Sequence, residues 1–334
     1  MKRLWRFAAV LVVISLVGSN WFVHKPVEWR DTITANWPGW LRYHIERFGN
    51  ACADYTDALG ISGSDATVAL PVYTSPHPFA FAGEPRIVAG GPAPTDIVVL
   101  RREAFVVGWS PSLRHPVWVA YRIPPTDNPY KLARPSGFTI DRTAPNSPRS
   151  ADYTNSGYDR GHLVPNHAIA SRFGKEAQRE TFMMSNVAPQ RPWLNQGPWA
   201  DIERRAADDW PRRYGEVWVI TGVVLSTNSP AAKVAGSINI PSAFYQITAA
   251  LHNERLRICA VVMPQQISRN ARPRCYLASI AEVERLSGLD FFWALPDKEE
   301  AEIEAMLPTR LWPSGLRGMV AIVKQRNGVY PSGP

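Results

Sequence analysis

Four consecutive residues in the stretch YDRGHLVPN, Asp159, Arg160, Gly161 and His162, put an acid, a guanidinium and an imidazole side by side. An imidazole titrates near neutrality, ordinarily at ~6.5, so His162 can take a proton from water at physiological pH. A guanidinium beside it can offset negative charge that builds on a reacting centre. Such a pair needs a metal ligand and a charge stabiliser, and the stretch SNVAPQRPWLNQGPWADIE, residues 185–203, supplies candidates in Asn195 and Glu203. Trp199, Ile202, Ala206 and Trp210 recur at steps of three and four and mark the buried face of a helix. Pro198 is tolerated only in a first turn, so the spacing predicts a helix that starts near Asn195, with Asn195 as its N-cap. Glu203 follows eight residues later, about 80° past two full turns, and its carboxylate can share a side with Asn195. Judged alone, Asn195 is an ordinary cap and Glu203 an ordinary solvated acid. His167, five residues after His162, is read as a loop-packing or surface residue.

Strand-like runs begin near Ile97. IVVLRREAFVVGWS and HPVWVAYRI flank a turn at PSLR, and FMMSNVAPQ, EVWVITGVVL, PSAFYQITAAL and RLRICAVVM follow. Helical patterns cover LNQGPWADIERRAADDW, YLASIAEVERLSG and KEEAEIEAML. Strands outnumber helices and the two are interspersed, which predicts an α+β fold with a mainly antiparallel sheet core. A short amphipathic helix is expected around Trp40–Phe48, and the Pro/Gly-rich stretch from about Val72 to Asp96 reads as an irregular lead-in. The domain reading is therefore residues 1–23 as a signal peptide or signal anchor, 24–95 as an N-terminal extension, and 96–330 as the catalytic domain.

The 334 residues are 45% apolar and 20% charged, which excludes a disordered chain. Of the net charge of +8, half comes from residues 1–30, where Lys2, Arg3, Arg6, Lys25 and Arg30 face Glu28. The remainder is only mildly basic, compatible with an anionic partner such as nucleic acid. MKRLWR followed by FAAVLVVISLVG has the form of an export signal. The apolar run is too short to span a bilayer alone, and approaches the necessary length if extended to Val23. A cleaved signal, with Val17 and Ser19 at the small-residue positions, and a retained membrane anchor both fit. Either way the body is expected outside the cytoplasm. Cys52, Cys259 and Cys275 contain no Cys-x-x-Cys pair, so a structural zinc site is not expected; the three leave disulfide pairing open.

Three stretches, ADYTNSGYDRGHLVPN, SNVAPQRPWLNQGPWADIE and HPVWVAYRI, resemble in order the DNA/RNA non-specific endonucleases of the ββα-metal type. The likeness runs from about Ile97 to near residue 300. It implies a ββα-metal active-site motif and hydrolysis of DNA or RNA phosphodiesters to 5′-phosphate products. By position, His162 matches the family's general base and Asn195 the direct protein ligand of a Mg²⁺ ion, for which Mn²⁺ can substitute. Glu203 matches the acid that orients metal-bound water. Arg160 and Asn186 match residues that contact the phosphate or support the site, and Arg134, in ARPSGFTID, matches an upstream phosphate-binding arginine. Asp159 is read as support for its loop. The donor chemistry is coherent: an asparagine oxygen is hard and neutral, and Mg²⁺ keeps most of its water. Two alternatives stand beside this reading: a membrane-associated nucleic-acid-binding protein without turnover, which needs none of His162, Asn195 and Glu203 for binding alone, and a phosphodiesterase acting on small nucleotides, which would use the same site.

Overall fold

The structure, a computed structural model, describes residues 64–313 except 71–72, 76, 227–231 and 270, together with Trp37 and Ile45. The expected N-terminal signal or anchor, most of the expected Trp40–Phe48 helix, and Cys52 lie outside the described residues.

The apolar, β-branched runs form β1 (Ala66–Ala69), β2 (Arg86–Ile87), β3 (Val98–Arg101), β4 (Phe105–Ser110) and β5 (His115–Ile123). After the site come β8 (Val217–Val224), β11 (Ala243–His252), β12 (Arg255–Pro264) and β13 (Leu277–Ala278). One antiparallel sheet takes the order β1-β12-β11-β8-β5-β4-β3, with β13 also paired to β12. Between these strands lie β6 (Asp159–His162), β7 (Val187–Gln190), β9 (Lys233–Val234) and β10 (Ile238–Asn239); β14 (Leu289–Asp290) pairs with β2. Helices are α1 (Asn166–Phe173), α2 (Lys175–Thr181), a kinked α3 over residues 192–214, α4 (Ile280–Ser287) and α5 (Asp297–Ala305). The expected α+β class with an antiparallel core is what the chain adopts.

Both faces of the sheet are covered. Along β12, Leu256, Ile258 and Ala260 point into one core, and Cys259, Val261 and Met263 into the other. That double burial is why β4 and β5 read as almost unbroken apolar runs and not as alternating ones. On the site side, Trp199, Ile202, Ala206 and Trp210 of α3 pack with Trp109, Tyr121 and Phe244. Each enclosed indole removes roughly 150–250 Å² from water, on the order of 4–6 kcal/mol of gross stabilisation. α3 is thus clamped to the sheet by the face that the sequence marked. On the opposite side, Ile280, Val283 and Ile303 of α4 and α5 close over Trp118, Tyr245 and Phe291.

Three expectations need correction. The stretch 64–95 is not a separate extension among the described residues: β1 is an edge strand of the sheet, and Phe81 is buried in the second core. Its apolar FAFA run outweighs the surrounding prolines. The run 97–110 is a hairpin, turned at Arg102, whose N–H donates to the Phe105 carbonyl (2.9 Å). α3 starts at Pro192, not near Asn195, and contains a break at Gly197 (φ −114, ψ −114). A Cβ there would lie 2.8 Å from the Arg269 carbonyl oxygen, so glycine allows the close approach. Asn195 has helical dihedrals (φ −57, ψ −45) and its side chain caps nothing.

Candidate active site

β6 and β7 pair antiparallel, His162 opposite Val187 and Asp159 opposite Gln190, and α3 follows β7 after one residue. This is a ββα unit with α1 and α2 inserted between its strands. Gly161 is dictated by packing: a Cβ would sit 2.1 Å from the Gln190 Oε1. The glycine in the tetrapeptide therefore lets β6 lie flat on the β7 side chain.

A cavity of about 460 Å³ opens at the end of this unit, lined among others by Arg134, Asp159, Arg160, His162, Asn195 and Glu203. Five of the six residues singled out from the sequence are together here. The sixth, Asn186, is not: it is fully buried, its Oδ1 accepts from the Val164 N–H (2.9 Å), and its Nδ2 donates to the Val164 and Thr181 carbonyls (both 2.9 Å). With its amide engaged on backbone, Asn186 pins the chain just after His162 and has no hand for a phosphate.

His162 is held between the rings of Phe138 and Phe182, with centroids 4.9 and 5.0 Å away. Its Nε2 has no hydrogen-bond partner. Burial, assisted by the positive charge of Arg134, pushes the imidazole down to about 3. It is neutral at physiological pH, and the residue lines the cavity.

Asn195 is oriented by Asp159. The Asp159 Oδ2 accepts from the Asn195 Nδ2 (2.8 Å) and the Gln196 Nε2 (2.9 Å). With the amide nitrogen tied, the amide oxygen is the free end, and no hydrogen bond reaches it from the described residues. Asp159 thus does more than support its own loop. Burial raises the Glu203 carboxyl to about 8, against the opposing pull of Arg134. A neutral amide oxygen and an acid short of counter-charge suit a hard, hydrated divalent cation. Among the described residues, the one trio of closely spaced His, Cys, Asp or Glu ligand atoms, Glu284, Asp290 and Glu304, lies elsewhere.

The two guanidiniums differ in restraint. Arg160 donates from Nε and Nη2 to the Ser150 carbonyl (3.0 and 2.6 Å) and from Nη2 to the Thr154 Oγ1 (3.2 Å). Arg134 is exposed and lies over the Phe182 ring, 5.1 Å from its centroid. Its loop is positioned at long range: Thr139 N–H donates to the Phe182 carbonyl and Met184 N–H to the Thr139 carbonyl (both 2.9 Å). Farther on, Asp141 is buried against Arg102, Ser185 and Thr143. No local spacing predicts that Phe138 and Phe182 enclose His162, because the contact is made by this distant pairing. His167 also lines the cavity, at its solvent-exposed side.

The model of the family described as DNA/RNA non-specific endonuclease matches residues 83–298. Human mitochondrial endonuclease G is 31% identical over 208 residues, 57% of this chain and 68% of the relative. The mitochondrial nuclease of Saccharomyces cerevisiae is 28% identical over 222 residues, 60% of this chain and 67% of the relative. Among solved structures, the EndoG/EndoGI complex contains a chain that is 26% identical with a TM-score of 0.52, covering 60% of this chain and 88% of that one.

Proposed function

Because the chain belongs to the DNA/RNA non-specific endonuclease family and is a nuclease of that kind, we propose that it hydrolyses DNA or RNA without regard to sequence, using Mg²⁺. The observation that supports this reading most strongly is the convergence of His162, Arg134, Arg160, Asn195 and Glu203 on one cavity. Asn195 would hold the ion through its free amide oxygen, with Glu203 facing it. The bound ion supplies Lewis-acid stabilisation of charge on the phosphate and on the departing oxygen.

The remaining work falls to the chain's own groups. His162, neutral and lining the cavity, takes a proton from the attacking water. As the new P–O bond forms, the P–O3′ bond breaks and the departing oxygen takes a proton from solvent, which gives a 5′-phosphate and a 3′-hydroxyl. Arg160 and Arg134 stabilise charge on the phosphate oxygens, and Arg160 is already fixed by Ser150 and Thr154, so little reorganisation is required. Glu203 accepts hydrogen bonds from cavity water. Recognition through phosphate and not base edges is what a sequence-indifferent nuclease requires.

An exported enzyme is the compartment we propose, on the basic and then apolar character of residues 1–23. No helix among the described residues is long and apolar enough to cross a membrane. Plasmid nicking with Mg²⁺ and with chelator, followed by end-group analysis, tests the function. The expectation is metal-dependent nicking with 5′-phosphate ends. DNA binding without cleavage under any divalent ion would favour a receptor that has lost turnover, and cleavage restricted to dinucleotides would favour a small-nucleotide phosphodiesterase.

A further inference from the structure

Resting on that reading, we propose that His167 with Asp208 forms a second phosphate subsite, which takes the phosphodiester next to the scissile one along the strand. His167 stands in the first turn of α1 and lines the same cavity as His162, yet its environment is different. Where His162 is enclosed by two aromatic rings, the His167 side chain is 63% exposed. Its Nε2 lies 2.9 Å from the Asp208 Oδ1. Burial alone would push the Asp208 carboxyl up, but the hydrogen bond with His167 and the charges of His167, Arg172 and Arg212 hold it below its ordinary value. Asp208 is therefore a carboxylate that can only accept, and the His167 Nε2 is the donor. The ring is fixed by that bond and its Nδ1 edge is turned away from the carboxylate.

The support beneath the pair is rigid. Asp208 sits in a widened helical turn, Arg205–Asp209, of α3. Arg172 of α1 is almost fully buried, reaches within 4.0 Å of Asp208, and donates to the Ala207 carbonyl (2.7 Å) and the Ser171 Oγ (2.6 Å). Exposed ion pairs contribute little to stability, so the pair's own strength does not account for so much fixing. A tethered imidazole at the open side of a cavity that already holds two guanidiniums fits an anionic polymer passing over the rim. The scissile phosphate is taken by the deeper groups, which leaves the neighbouring phosphate for Nδ1–H. The exposed position also separates His167 from the reacting atoms, so its role is binding and not proton transfer.

The test is binding of a fluorescent short DNA duplex in chelator at pH 6 by anisotropy. His167→Ala is expected to raise Kd about fivefold, the loss of one charge-assisted contact under partial salt screening. His167→Lys, which keeps an N–H donor there, is expected within about twofold of wild type. With Mg²⁺, turnover of a substrate with a single phosphodiester is expected to be the same in all three proteins. Wild-type Kd in His167→Ala, His167→Lys as weak as His167→Ala, or slowed turnover of the single-phosphodiester substrate would overturn the proposal. Failure of the functional reading looks different: the wild-type protein would bind the duplex and leave it uncut with Mg²⁺, with the Kd ranking untouched.

Discussion

Replacing Glu203 by Gln should stabilise the metal-free protein while it disables the site. Enclosure lifts the carboxyl to about 8 from an ordinary 4.5. Between those two values the folded chain binds more protons than the unfolded one, so stability is fully present below about 4.5 and is lost as pH rises through about 8. Integrating that difference gives a penalty of about 1 kcal/mol at pH 5 and about 5 kcal/mol at pH 9, a change of about 4 kcal/mol. The amide of Gln has nothing to ionise and escapes it. For a body of this size 1 kcal/mol corresponds to roughly 2–4 °C in Tm. The gap between variant and wild type should therefore open by roughly 8–16 °C from pH 5 to pH 9, read by thermal melts in chelator. All other titrating groups are common to both proteins and cancel. Melting curves that run parallel over this range would refute the account of a buried, counter-charge-starved acid.

Asp159→Ala frees the Asn195 amide to rotate, and should weaken Mn²⁺ binding about 10–100-fold by electron paramagnetic resonance; unchanged affinity would show that Asp159 does not orient the ligand. Gly161→Ala drives a methyl onto Gln190 and should destabilise by about 1–3 kcal/mol in urea melts. Shortening Gln190 to Ala in the same chain should recover most of that loss, and an undiminished loss would place the strain elsewhere. Because His162 is depressed to about 3, protonation removes the base only in strong acid. At saturating divalent ion the kcat/KM profile should therefore show no acid inflection near ~6.5 that belongs to this imidazole. NMR titration of the His162 ring detects the same thing directly, and a midpoint near 6.5 would contradict the burial argument.

Much of the site was legible because helix geometry is local. The eight-residue spacing of Asn195 and Glu203 put them on one side, and both do face the cavity. The apolar steps from Trp199 to Trp210 marked the face that α3 buries. The helix start differs from the local expectation because Pro192, not Pro198, opens the helix, and Gly197 absorbs the second proline as a kink. α1 and α2 have little local signature because they are eight and seven residues long and polar sequences such as KEAQRET carry little periodicity. Contacts made through tertiary pairing had no local signal. The Arg134 loop is placed near His162 through long-range bonds, among them those to residues 178, 182 and 184, and the Asn186 amide is engaged by backbone 22 residues away at Val164.

The central claim is that His162 and Asn195 act on one phosphodiester. Single-turnover cleavage of duplex DNA with saturating Mg²⁺, by folded His162→Ala and Asn195→Ala proteins, tests it most directly. Each variant is predicted to fall by about 10²–10⁴-fold; either one cleaving at the wild-type rate contradicts the account.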